Sequence, residues 1–469
     1  MKTLAKKLLL AVIFCICLVG VAEADLERKI DGIISRSSQR KVQFSIHIVK
    51  ADSGNTVYSH EATKALVPAS NMKIIVTAAA LKYLGPHYEY KTKVGLRDNT
   101  LIVIGGGDPL LGDEKTDVKY DRERNWIFSD IAVLLKRNGI KTIRDIIVDS
   151  SIFDDQRVHP SWPKEELNRW YACEVSGLNF NDNCIAVTAK NNGGKVAIFI
   201  EPQTNYLRLI NKVVPISAGR PAVGSYRTVE PNRIVVSGRC KGQITPFDVA
   251  IENPAAFFGY LLAENLTKEG INARGQIIEK AVIDEDVKVF AEYSTSIADC
   301  LARCNKDSLG LAAEALLKTI AAESNPGRGN GSWAKGREMV SQYLLELGIS
   351  SSEFYIDDAS GLSRQNKLSA NAITKVLFYV YKSENWQLYK DSLAVGGIDG
   401  TIAGSFKEQK YKGKIFGKTG YISDVKSFSG VCRCEHGDYI FSILANNANS
   451  QTRDAINDIA KAIVDQALM

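Results

Sequence analysis

Features that would place this 469-residue chain in a specialised structural class are missing from it. It has no long low-complexity tract, no short-period repeat and, after its N-terminal segment, no apolar run long enough to cross a bilayer. The composition is 45% hydrophobic and 24% charged, which is typical of globular proteins and gives no indication of disorder. The sequence therefore predicts a chain that buries a large core, and its length favours two to four domains.

A strong excess of basic residues is also missing. The formal net charge is +6, and the basic residues are dispersed along the chain. Nucleic-acid-binding domains cluster their lysines and arginines on one face or along one helix. We therefore expect no nucleic-acid partner.

Seven of the nine cysteines lie beyond the N-terminal segment. Because seven is an odd number, at least one of them has no disulfide partner within the chain. Cys173 and Cys184 are close in sequence and form a plausible disulfide in an oxidising compartment. Cys300 and Cys304 are one helical turn apart and are expected to be buried thiols rather than a bridge. The segment Cys432-Arg433-Cys434-Glu435-His436 offers metal-binding side chains, but it lacks a well-placed fourth ligand and is more typical of a strand that enters a turn. No metal site is predicted.

Residues 1–24 have the features of a targeting segment. A basic region, an apolar stretch and a small-residue cleavage pattern follow one another: Lys2, Lys6 and Lys7, then Leu8 to Val21, then Ala22-Glu23-Ala24. The mature chain is expected to begin at Asp25, with no transmembrane anchor. This pattern predicts an exported protein of the periplasm.

A serine and a lysine three residues apart lie in the most informative stretch, Pro68-Ala69-Ser70-Asn71-Met72-Lys73. An apolar run and a Gly-Pro stop signal follow, which predicts a helix of about four turns with Ser70 in its first turn. Residues three apart share a helix face, so the Lys73 amine is expected beside the Ser70 hydroxyl. A lysine with a lowered pKa can take the proton of a serine nucleophile. Ser-x-x-Lys also occurs by chance in long chains, so the pair alone does not establish catalysis.

Two distant segments strengthen the catalytic interpretation. Lys418-Thr419-Gly420 lies in an apolar, glycine-containing stretch that is typical of an edge strand open to a ligand. Ser308 supplies a second serine at the start of a helix predicted to run to Thr319. A literal Ser-x-Asn occurs at Ser369-Ala370-Asn371, but its serine precedes a periodic helix and is better explained as an N-cap.

The three motifs stand in the signature order of penicillin-binding proteins and class A β-lactamases. Essentially the whole mature chain resembles a class C low-molecular-mass penicillin-binding protein, a D-alanyl-D-alanine carboxypeptidase/endopeptidase. Four further stretches join the resemblance: Gly106-Gly107-Asp108-Pro109, Val175-Ser176-Gly177-Leu178-Asn179, Asp357-Asp358-Ala359-Ser360-Gly361-Leu362-Ser363-Arg364 and Asp399-Gly400-Thr401.

The resemblance implies a fold and a chemistry. The fold is an α/β (α+β) multidomain arrangement. In it, a penicillin-binding or β-lactamase-like domain, an antiparallel sheet flanked by helices, carries two inserted domains that are mainly β or α/β. The implied reaction cleaves the D-Ala-D-Ala bond of peptidoglycan stem peptides through an acyl-enzyme. β-Lactams are the implied covalent inhibitors, and no metal or nucleotide cofactor is needed.

Residue roles follow from the same resemblance. The catalytic residues are expected to be a nucleophile, its base and a proton relay to the leaving amine: Ser70, Lys73 and Ser308. The substrate-binding residues are expected to hold the substrate carboxylate and to supply an oxyanion contact: Lys418, Thr419, Gly420 and Tyr421. The oxyanion hole is implied to consist of the backbone N–H groups of Ser70 and Tyr421.

One position departs from the family pattern. Gly310 stands where the second motif has an asparagine, whose amide can contact both the substrate backbone and the active-site lysine. A neighbour such as Asn305, or a residue from the inserted region, could fill the gap. Gly310 thus keeps open the alternative of a catalytically weakened peptidoglycan-binding protein. A β-lactamase-like hydrolase on the same scaffold is a second alternative.

The spacing of the motifs predicts the domain organisation. The gap between Ser70 and Ser308 is far longer than a loop and must hold inserted domains. We expect a catalytic domain from residues 25–88 and 290–469, an inserted region at 89–289 and a nested domain at about 155–245. Within the catalytic domain, residues 41–63 are predicted to form a hairpin. The amphipathic stretch from Arg453 to Leu468 is predicted to pack as a helix on the sheet rather than on a membrane.

Overall fold

The computed structural model describes residues 24–324, 330–435 and 437–466. Its helices are α1 (24–34), α2 (Met72–Leu84), α3 (Glu114–Lys119), α4 (Trp126–Arg137), α5 (Pro254–Lys268), α6 (Ile297–Lys306), α7 (Gly310–Glu323), α8 (Trp333–Glu346), α9 (Ala370–Lys382), α10 (Trp386–Ser392) and α11 (Thr452–Gln466). Its strands are β1 (Gln43–Lys50), β2 (Thr56–His60), β3 (Glu89–Arg97), β4 (Thr100–Ile104), β5 (Asp145–Asp149), β6 (Cys184–Asn192), β7 (Lys195–Glu201), β8 (Arg208–Pro215), β9 (Ala222–Arg227), β10 (Arg233–Cys240), β11 (Phe247–Ala250), β12 (Ile277–Glu279), β13 (Lys288–Ser296), β14 (Phe354–Tyr355), β15 (Lys367–Leu368), β16 (Ala394–Val395), β17 (Ile415–Ile422), β18 (Val425–Cys432) and β19 (Tyr439–Asn446).

The chain divides into two compact units. The first contains the residues up to Pro86, Leu301–Leu309 and the residues from Arg337 onward. The second contains His87–Cys300 and Gly310–Gly336. The predicted boundaries of the inserted region and of its nested domain stay predictions.

The first unit is built on a six-stranded sheet with the order β16-β17-β18-β19-β1-β2. All neighbouring strands are antiparallel, as the predicted fold class requires. The hairpin predicted at residues 41–63 is confirmed as β1 and β2. At the other side of the sheet, β16 pairs with β17 only at Phe416 and Gly417. Beyond Gly417, β17 therefore has one edge that β16 does not cover.

One face of this sheet is apolar and carries α1 and α11. Phe44, Ile46 and Ile48 alternate along β1 and are buried in a cluster with Ile456 and Ile463 of α11. Burying a side chain of this kind stabilises the fold by about 1.5–3 kcal/mol. The prediction that the C-terminal amphipathic helix packs on the sheet is confirmed.

The opposite face of the sheet is more polar and carries α9, and α2 packs against α9. The Ala370 N–H donates to the Ser45 hydroxyl at 3.1 Å, and His47 Nδ1 lies 2.6 Å from the Thr374 hydroxyl. The Ser369 hydroxyl accepts the Ala372 N–H at 2.9 Å, which is an N-cap contact at the start of α9. The second Ser-x-Asn is therefore a helix cap, as predicted.

The second unit contains three sheets. A five-stranded sheet has the order β12-β5-β4-β3-β13, and two three-stranded sheets have the orders β11-β6-β7 and β8-β10-β9. Its core includes the rings of Phe128, Phe180 and Phe258, whose centroids lie 4.9–5.7 Å apart. This mixed α and β content agrees with the predicted fold class.

Cys173 and Cys184 are free thiols in the structure, so the pairing that their closeness in sequence made plausible is wrong. Both are buried, and burial raises the pKa of each thiol far above its usual value. The protonated thiol is a poor nucleophile for disulfide formation. Cys300 and Cys304 are buried thiols, as predicted.

Some predictions fall outside the described residues. These are the targeting segment, except Ala24, and His436 of the cysteine-containing turn. Within the described ranges, no three His, Cys, Asp or Glu side chains form a candidate metal site. Over the same ranges, no helix combines the length and the apolarity needed to span a bilayer.

Candidate active site

Ser70 lies in a short 3₁₀ turn, Ala69–Asn71, that leads directly into α2. Ala69 adopts a left-handed conformation with φ of 46°, which costs a non-glycine residue on the order of 1–3 kcal/mol. The backbone of Gly361 packs directly against this turn. The approach is so close that a Cβ on Gly361 would lie only 1.9 Å from the Ala69 carbonyl oxygen. The helix start is thus fixed in a strained geometry that presents a half-buried Ser70 hydroxyl.

Asn71 ties this turn to the sheet. Its Nδ2 donates to the Lys418 carbonyl at 2.8 Å, and its Oδ1 accepts the Ser429 hydroxyl at 2.6 Å. Asn71 is fully buried, so these hydrogen bonds are shielded from water. The turn that carries Ser70 is therefore locked to β17 and β18.

Lys73 lies one turn further along and points back to Ser70, as the spacing predicts. Its Nζ is 3.2 Å from Ser70 Oγ and 2.6 Å from the Ser360 carbonyl oxygen. Only 2% of the lysine is exposed, although it carries an amine. The Ser70 hydroxyl also lies 3.3 Å from the Ser360 carbonyl. The Ser360 carbonyl can hold one N–H of the amine, which leaves the amine's lone pair available for the Ser70 proton once the lysine is neutral.

The Ser360 carbonyl is placed by a buried carboxylate. Asp358 accepts the N–H of Gly361 at 2.8 Å, the N–H of Ser363 at 2.7 Å and the amide of Asn366 at 2.6 Å. Asp358 is fully buried. Charge-assisted hydrogen bonds of this kind are about twice as strong as neutral ones, so the loop at residues 357–364 is held rigidly beside Lys73.

Ser308 and Lys418 form the second pair of the site. Lys418 Nζ donates to Ser308 Oγ and to the Thr419 carbonyl, both at 2.8 Å. Lys418 is fully buried on β17. Burial, followed by the positive charge of Lys73, lowers the pKa of Lys418 well below its usual value. The hydrogen bond from Asn71 to the Lys418 carbonyl joins the turn of the first pair to the strand of the second, so the two pairs form one site.

Ser308 is held in a left-handed conformation, with φ of 64°. A residue in this conformation does not continue a helix. The predicted helix from Ser308 to Thr319 therefore begins two residues later, as α7 at Gly310. The turn before it leaves Ser308 half-buried and in contact with Lys418.

A second loop reaches the same strand. The Thr401 hydroxyl lies 2.9 Å from the Thr419 hydroxyl, and Thr401 belongs to the turn Gly400–Ile402. An ion pair between Lys306 and Asp399 holds this loop near the end of α6. The Thr419 hydroxyl donates this hydrogen bond to the Thr401 hydroxyl, so its proton reaches a carboxylate only when it turns away from Thr401. Thr401 is therefore placed to orient Thr419.

The chain was compared with known proteins. The model of the D-Ala-D-Ala carboxypeptidase 3 (S13) family matches residues 26–466. This chain belongs to that family. A D-alanyl-D-alanine carboxypeptidase of Actinomadura sp. strain R39 is 27% identical over 467 residues, which cover 94% of this chain and 84% of the relative. D-alanyl-D-alanine carboxypeptidase DacB of Haemophilus influenzae is 24% identical over 392 residues, which cover 80% of this chain and 79% of the relative. The crystal structure of penicillin binding protein 4 (dacB) from Haemophilus influenzae has a similar fold, with a TM-score of 0.77 and 21% identity. The match covers 95% of this chain and 98% of that structure.

Membership of the S13 family makes the departure at Gly310 more notable. Gly310 is the buried first residue of α7 and has no side chain to donate or accept. The candidate substitute Asn305 uses its amide elsewhere, since Nδ2 lies 2.9 Å from the Ser392 hydroxyl and 3.3 Å from the Thr77 hydroxyl. Thr77 in turn donates to the Lys73 carbonyl at 2.6 Å. Asn305 therefore supports the helix that carries Lys73.

The structure thus brings together Ser70, Lys73, Ser308, Lys418 and Thr419 within the first unit. Tyr421 follows on the same strand, with its side chain 69% exposed. Ser360 and Thr401 also contact the site, although their residue types alone do not indicate a role. Both lie in stretches that carry the family resemblance, and this was the available signal.

Proposed function

We propose that this chain is a serine D-Ala-D-Ala carboxypeptidase/endopeptidase that cleaves peptidoglycan stem peptides and cross-links through an acyl-enzyme. The observation that carries the proposal is the 3.2 Å approach of Lys73 Nζ to Ser70 Oγ in a member of the S13 family. The names of the relatives, two D-alanyl-D-alanine carboxypeptidases, support the same substrate class.

The proposed reaction begins when Lys73 takes the Ser70 proton and the serine oxygen attacks the D-Ala-D-Ala carbonyl carbon. The backbone N–H groups of Ser70 and Tyr421 stabilise the oxyanion. Ser308 relays a proton to the leaving amine, so the C–N bond breaks and D-alanine departs. Water then hydrolyses the ester. β-Lactams form the same ester with Ser70 and act as covalent inhibitors.

Lys418 and Thr419 hold the terminal carboxylate of the substrate in this scheme. The Lys418 ammonium supplies the charge, while the Thr419 hydroxyl turns from Thr401, to which it donates in the structure, and donates to the carboxylate instead. Gly420 keeps the strand open, since a Cβ there would meet the Ser427 hydroxyl at 2.1 Å and Ser70 N at 3.0 Å. The scheme requires no metal or nucleotide.

Release of D-alanine tests the activity. A short peptide that ends in D-Ala-D-Ala should yield free D-alanine with the wild-type chain and none with Ser70→Ala. The same peptide ending in L-Ala-L-Ala is the matched control and should stay intact. A dimeric muropeptide reports the endopeptidase reaction. No D-alanine and no cleaved dimer from a folded wild-type protein would reject the proposal.

A β-lactamase-like hydrolase is the alternative within the same chemistry. The two activities differ in the fate of the β-lactam adduct. A carboxypeptidase hydrolyses its β-lactam adduct slowly, whereas a β-lactamase hydrolyses it quickly. The rate at which penicilloate leaves the acylated protein therefore separates them.

We also propose that the chain is exported to the periplasm and loses residues 1–24. The basic, apolar and small-residue regions of that segment support this proposal. N-terminal sequencing of exported protein should start at Asp25, whereas a retained Met1 would refute cleavage.

Gly310→Asn tests whether the missing amide limits catalysis. A hydrogen bond to a charged group contributes on the order of 1.5–3 kcal/mol, or about ten- to a hundredfold in rate. We therefore expect Gly310→Asn to acylate faster by about this factor, as measured by stopped-flow mixing with a chromogenic β-lactam.

Gly348→Asn is the matched control for this substitution. A Cβ at Gly348 meets no atom within 4 Å, and asparagine tolerates its positive φ. This variant should acylate like the wild type. The wild type could already be acylated rapidly, with Gly310→Asn acylated at the same rate or more slowly. This result would mean that catalysis does not require the asparagine amide. A wild type that binds the peptide but is never acylated would favour the weakened peptidoglycan-binding protein.

A further inference from the structure

Arg453, near the start of α11, places its guanidinium against the backbone of β17 and β18. Its Nη2 donates to the Gly420 carbonyl at 2.9 Å, and its Nη1 donates to the Ser427 carbonyl at 3.3 Å. Arg453 thus donates to two main-chain carbonyls that form a pair in the sheet. A guanidinium stays charged in proteins, and removing it from water is costly. Arg453 is half-buried, and a partly desolvated cation that donates to main-chain carbonyls calls for a role beyond packing.

The Gly420 carbonyl belongs to the same peptide group as the Tyr421 N–H. Resonance makes this group planar and couples its two ends. In the described residues the cis peptide bond is Glu201-Pro202, so the bond between Gly420 and Tyr421 is trans. The C=O and N–H of a trans peptide point in opposite directions, and the Tyr421 N–H therefore points away from Arg453.

This peptide group passes directly beside the nucleophile. The position that a Gly420 Cβ would take lies 3.0 Å from Ser70 N and 2.9 Å from the Pro68 carbonyl. Pairing with β16 ends at Gly417, so the strand edge at Tyr421 is not covered by β16. The peptide that carries one N–H of the proposed oxyanion hole, that of Tyr421, thus lies beside the other, that of Ser70.

We propose that Arg453 is a positioning residue of the oxyanion hole, which polarises the Gly420–Tyr421 peptide and fixes its orientation. A hydrogen bond from a cation to the carbonyl withdraws electron density, which makes the N–H at the other end a stronger donor. The effect grows in the transition state, where negative charge develops on the oxygen opposite that N–H. This inference rests on the proposed acyl transfer.

The expected size follows from known oxyanion-hole deletions. Removing one donor lowers the rate by about 10²–10³. Loss of Arg453 weakens the donor without removing it, so we expect acylation to slow by about tenfold in Arg453→Met. Arg453→Lys keeps the charge but cannot donate to both carbonyls as the planar guanidinium does. Its acylation rate should therefore lie between those of the wild type and Arg453→Met.

The matched control removes a cation from the same helix without touching the strand. Lys461 of α11 pairs with Glu408 at 2.6 Å, on the surface. Lys461→Met should leave acylation unchanged. If the loss of positive charge in general were responsible, Lys461→Met would slow acylation as well, and the proposal would be wrong.

Infrared spectroscopy of the acyl-enzyme separates polarisation from a merely structural role. A β-lactam labelled with ¹³C at its lactam carbonyl gives an ester band whose frequency falls as oxyanion-hole hydrogen bonds strengthen. We expect this band at higher frequency in Arg453→Met than in the wild type, with Lys461→Met unshifted. Slower acylation with an unshifted band would reduce Arg453 to a structural residue and overturn the proposal.

A second readout does not depend on the proposed reaction. The sequence contains only two Gly-Tyr pairs, Gly259-Tyr260 and Gly420-Tyr421. Labelling glycine with ¹³C at the carbonyl and tyrosine with ¹⁵N therefore yields two correlated amide signals, and Tyr260 serves as the internal reference. The Tyr421 amide proton should move upfield in Arg453→Met, or in Arg453→Lys if the methionine variant does not fold, while Tyr260 stays in place.

The two readouts distinguish the possible failures. A wild type that forms no acyl-enzyme rejects the proposed function, yet the Tyr421 shift still reports the polarisation of the peptide. A Tyr421 signal that stays in place in a folded Arg453 variant rejects the role of Arg453, even if the wild type is acylated normally.

Discussion

Lys73→Met is expected to slow acylation of Ser70 by on the order of 10²–10⁴-fold, the contribution of a well-placed general base. Methionine has nearly the length of lysine but cannot take the proton of the Ser70 hydroxyl 3.2 Å away. Lys73→Arg should be about as slow, because arginine keeps the charge but cannot be deprotonated. Rates of adduct formation with a chromogenic β-lactam measure both variants.

The pair of variants separates two roles for this residue. If Lys73 acted only through its positive charge, Lys73→Arg would retain most of the rate. Lys82→Met is the matched control, because Lys82 is an exposed lysine in the last turn of α2. It should acylate at the wild-type rate. A fast Lys73→Arg would contradict the assignment of Lys73 as the base.

Lys418→Met should abolish the recognition of the substrate carboxylate. Removing one partner of a buried charge pair costs about 2–5 kcal/mol, which corresponds to a loss of roughly 30- to 5,000-fold in kcat/KM. The loss should be large for a peptide with a free C-terminal carboxylate. It should be small for the same peptide with a C-terminal amide, which the wild type already cleaves poorly.

A double comparison of substrate and variant therefore measures the contact. Lys414→Met removes a lysine one residue before β17 and is the control, with both substrates cleaved as by the wild type. Equal losses for the carboxylate and the amide peptide in Lys418→Met would show that Lys418 acts through Ser308 or through folding, and not on the carboxylate.

The pH dependence of carboxylate binding follows from the lowered pKa of Lys418. Only the ammonium form attracts the carboxylate, so binding weakens as the pH rises through the Lys418 pKa. Burial and the charge of Lys73 depress this pKa, and the loss should therefore occur well below the usual pKa of a lysine. The double variant Ser70→Ala/Lys73→Met lacks the Lys73 charge that lowers the Lys418 pKa. Peptide binding should therefore be lost at a higher pH in this variant than in Ser70→Ala. Titration of peptide binding to the two variants reports the shift.

The parts of the site that the sequence predicted depend on local patterns. Ser70 and Lys73 are three residues apart on one helix, and helical geometry alone brings them together. The N-cap role of Ser369 and the packing of α11 likewise follow from a side chain and its neighbours within a few turns. Patterns of this kind can be read without knowing the fold.

The parts that escaped prediction depend on the backbone and on distant contacts. Ser360 acts through its carbonyl, which every residue has, so the family resemblance of its stretch does not indicate this role. Arg453 contacts Gly420 and Ser427 across more than twenty residues, and nothing near it in sequence indicates this. The pairing of Cys173 with Cys184, plausible from the sequence, fails for a similar reason, because closeness in sequence does not fix sulfur geometry.

The mass of the protein after mixing with benzylpenicillin tests the central claim most directly. Opening of the β-lactam ring by a serine adds the whole inhibitor, so the wild type should gain one inhibitor mass on the peptide that contains Ser70. Ser70→Ala should gain none, and Ser308→Ala should gain it more slowly. An adduct that persists in Ser70→Ala, or a folded wild type that gains no mass, would contradict the assignment of Ser70 as the nucleophile.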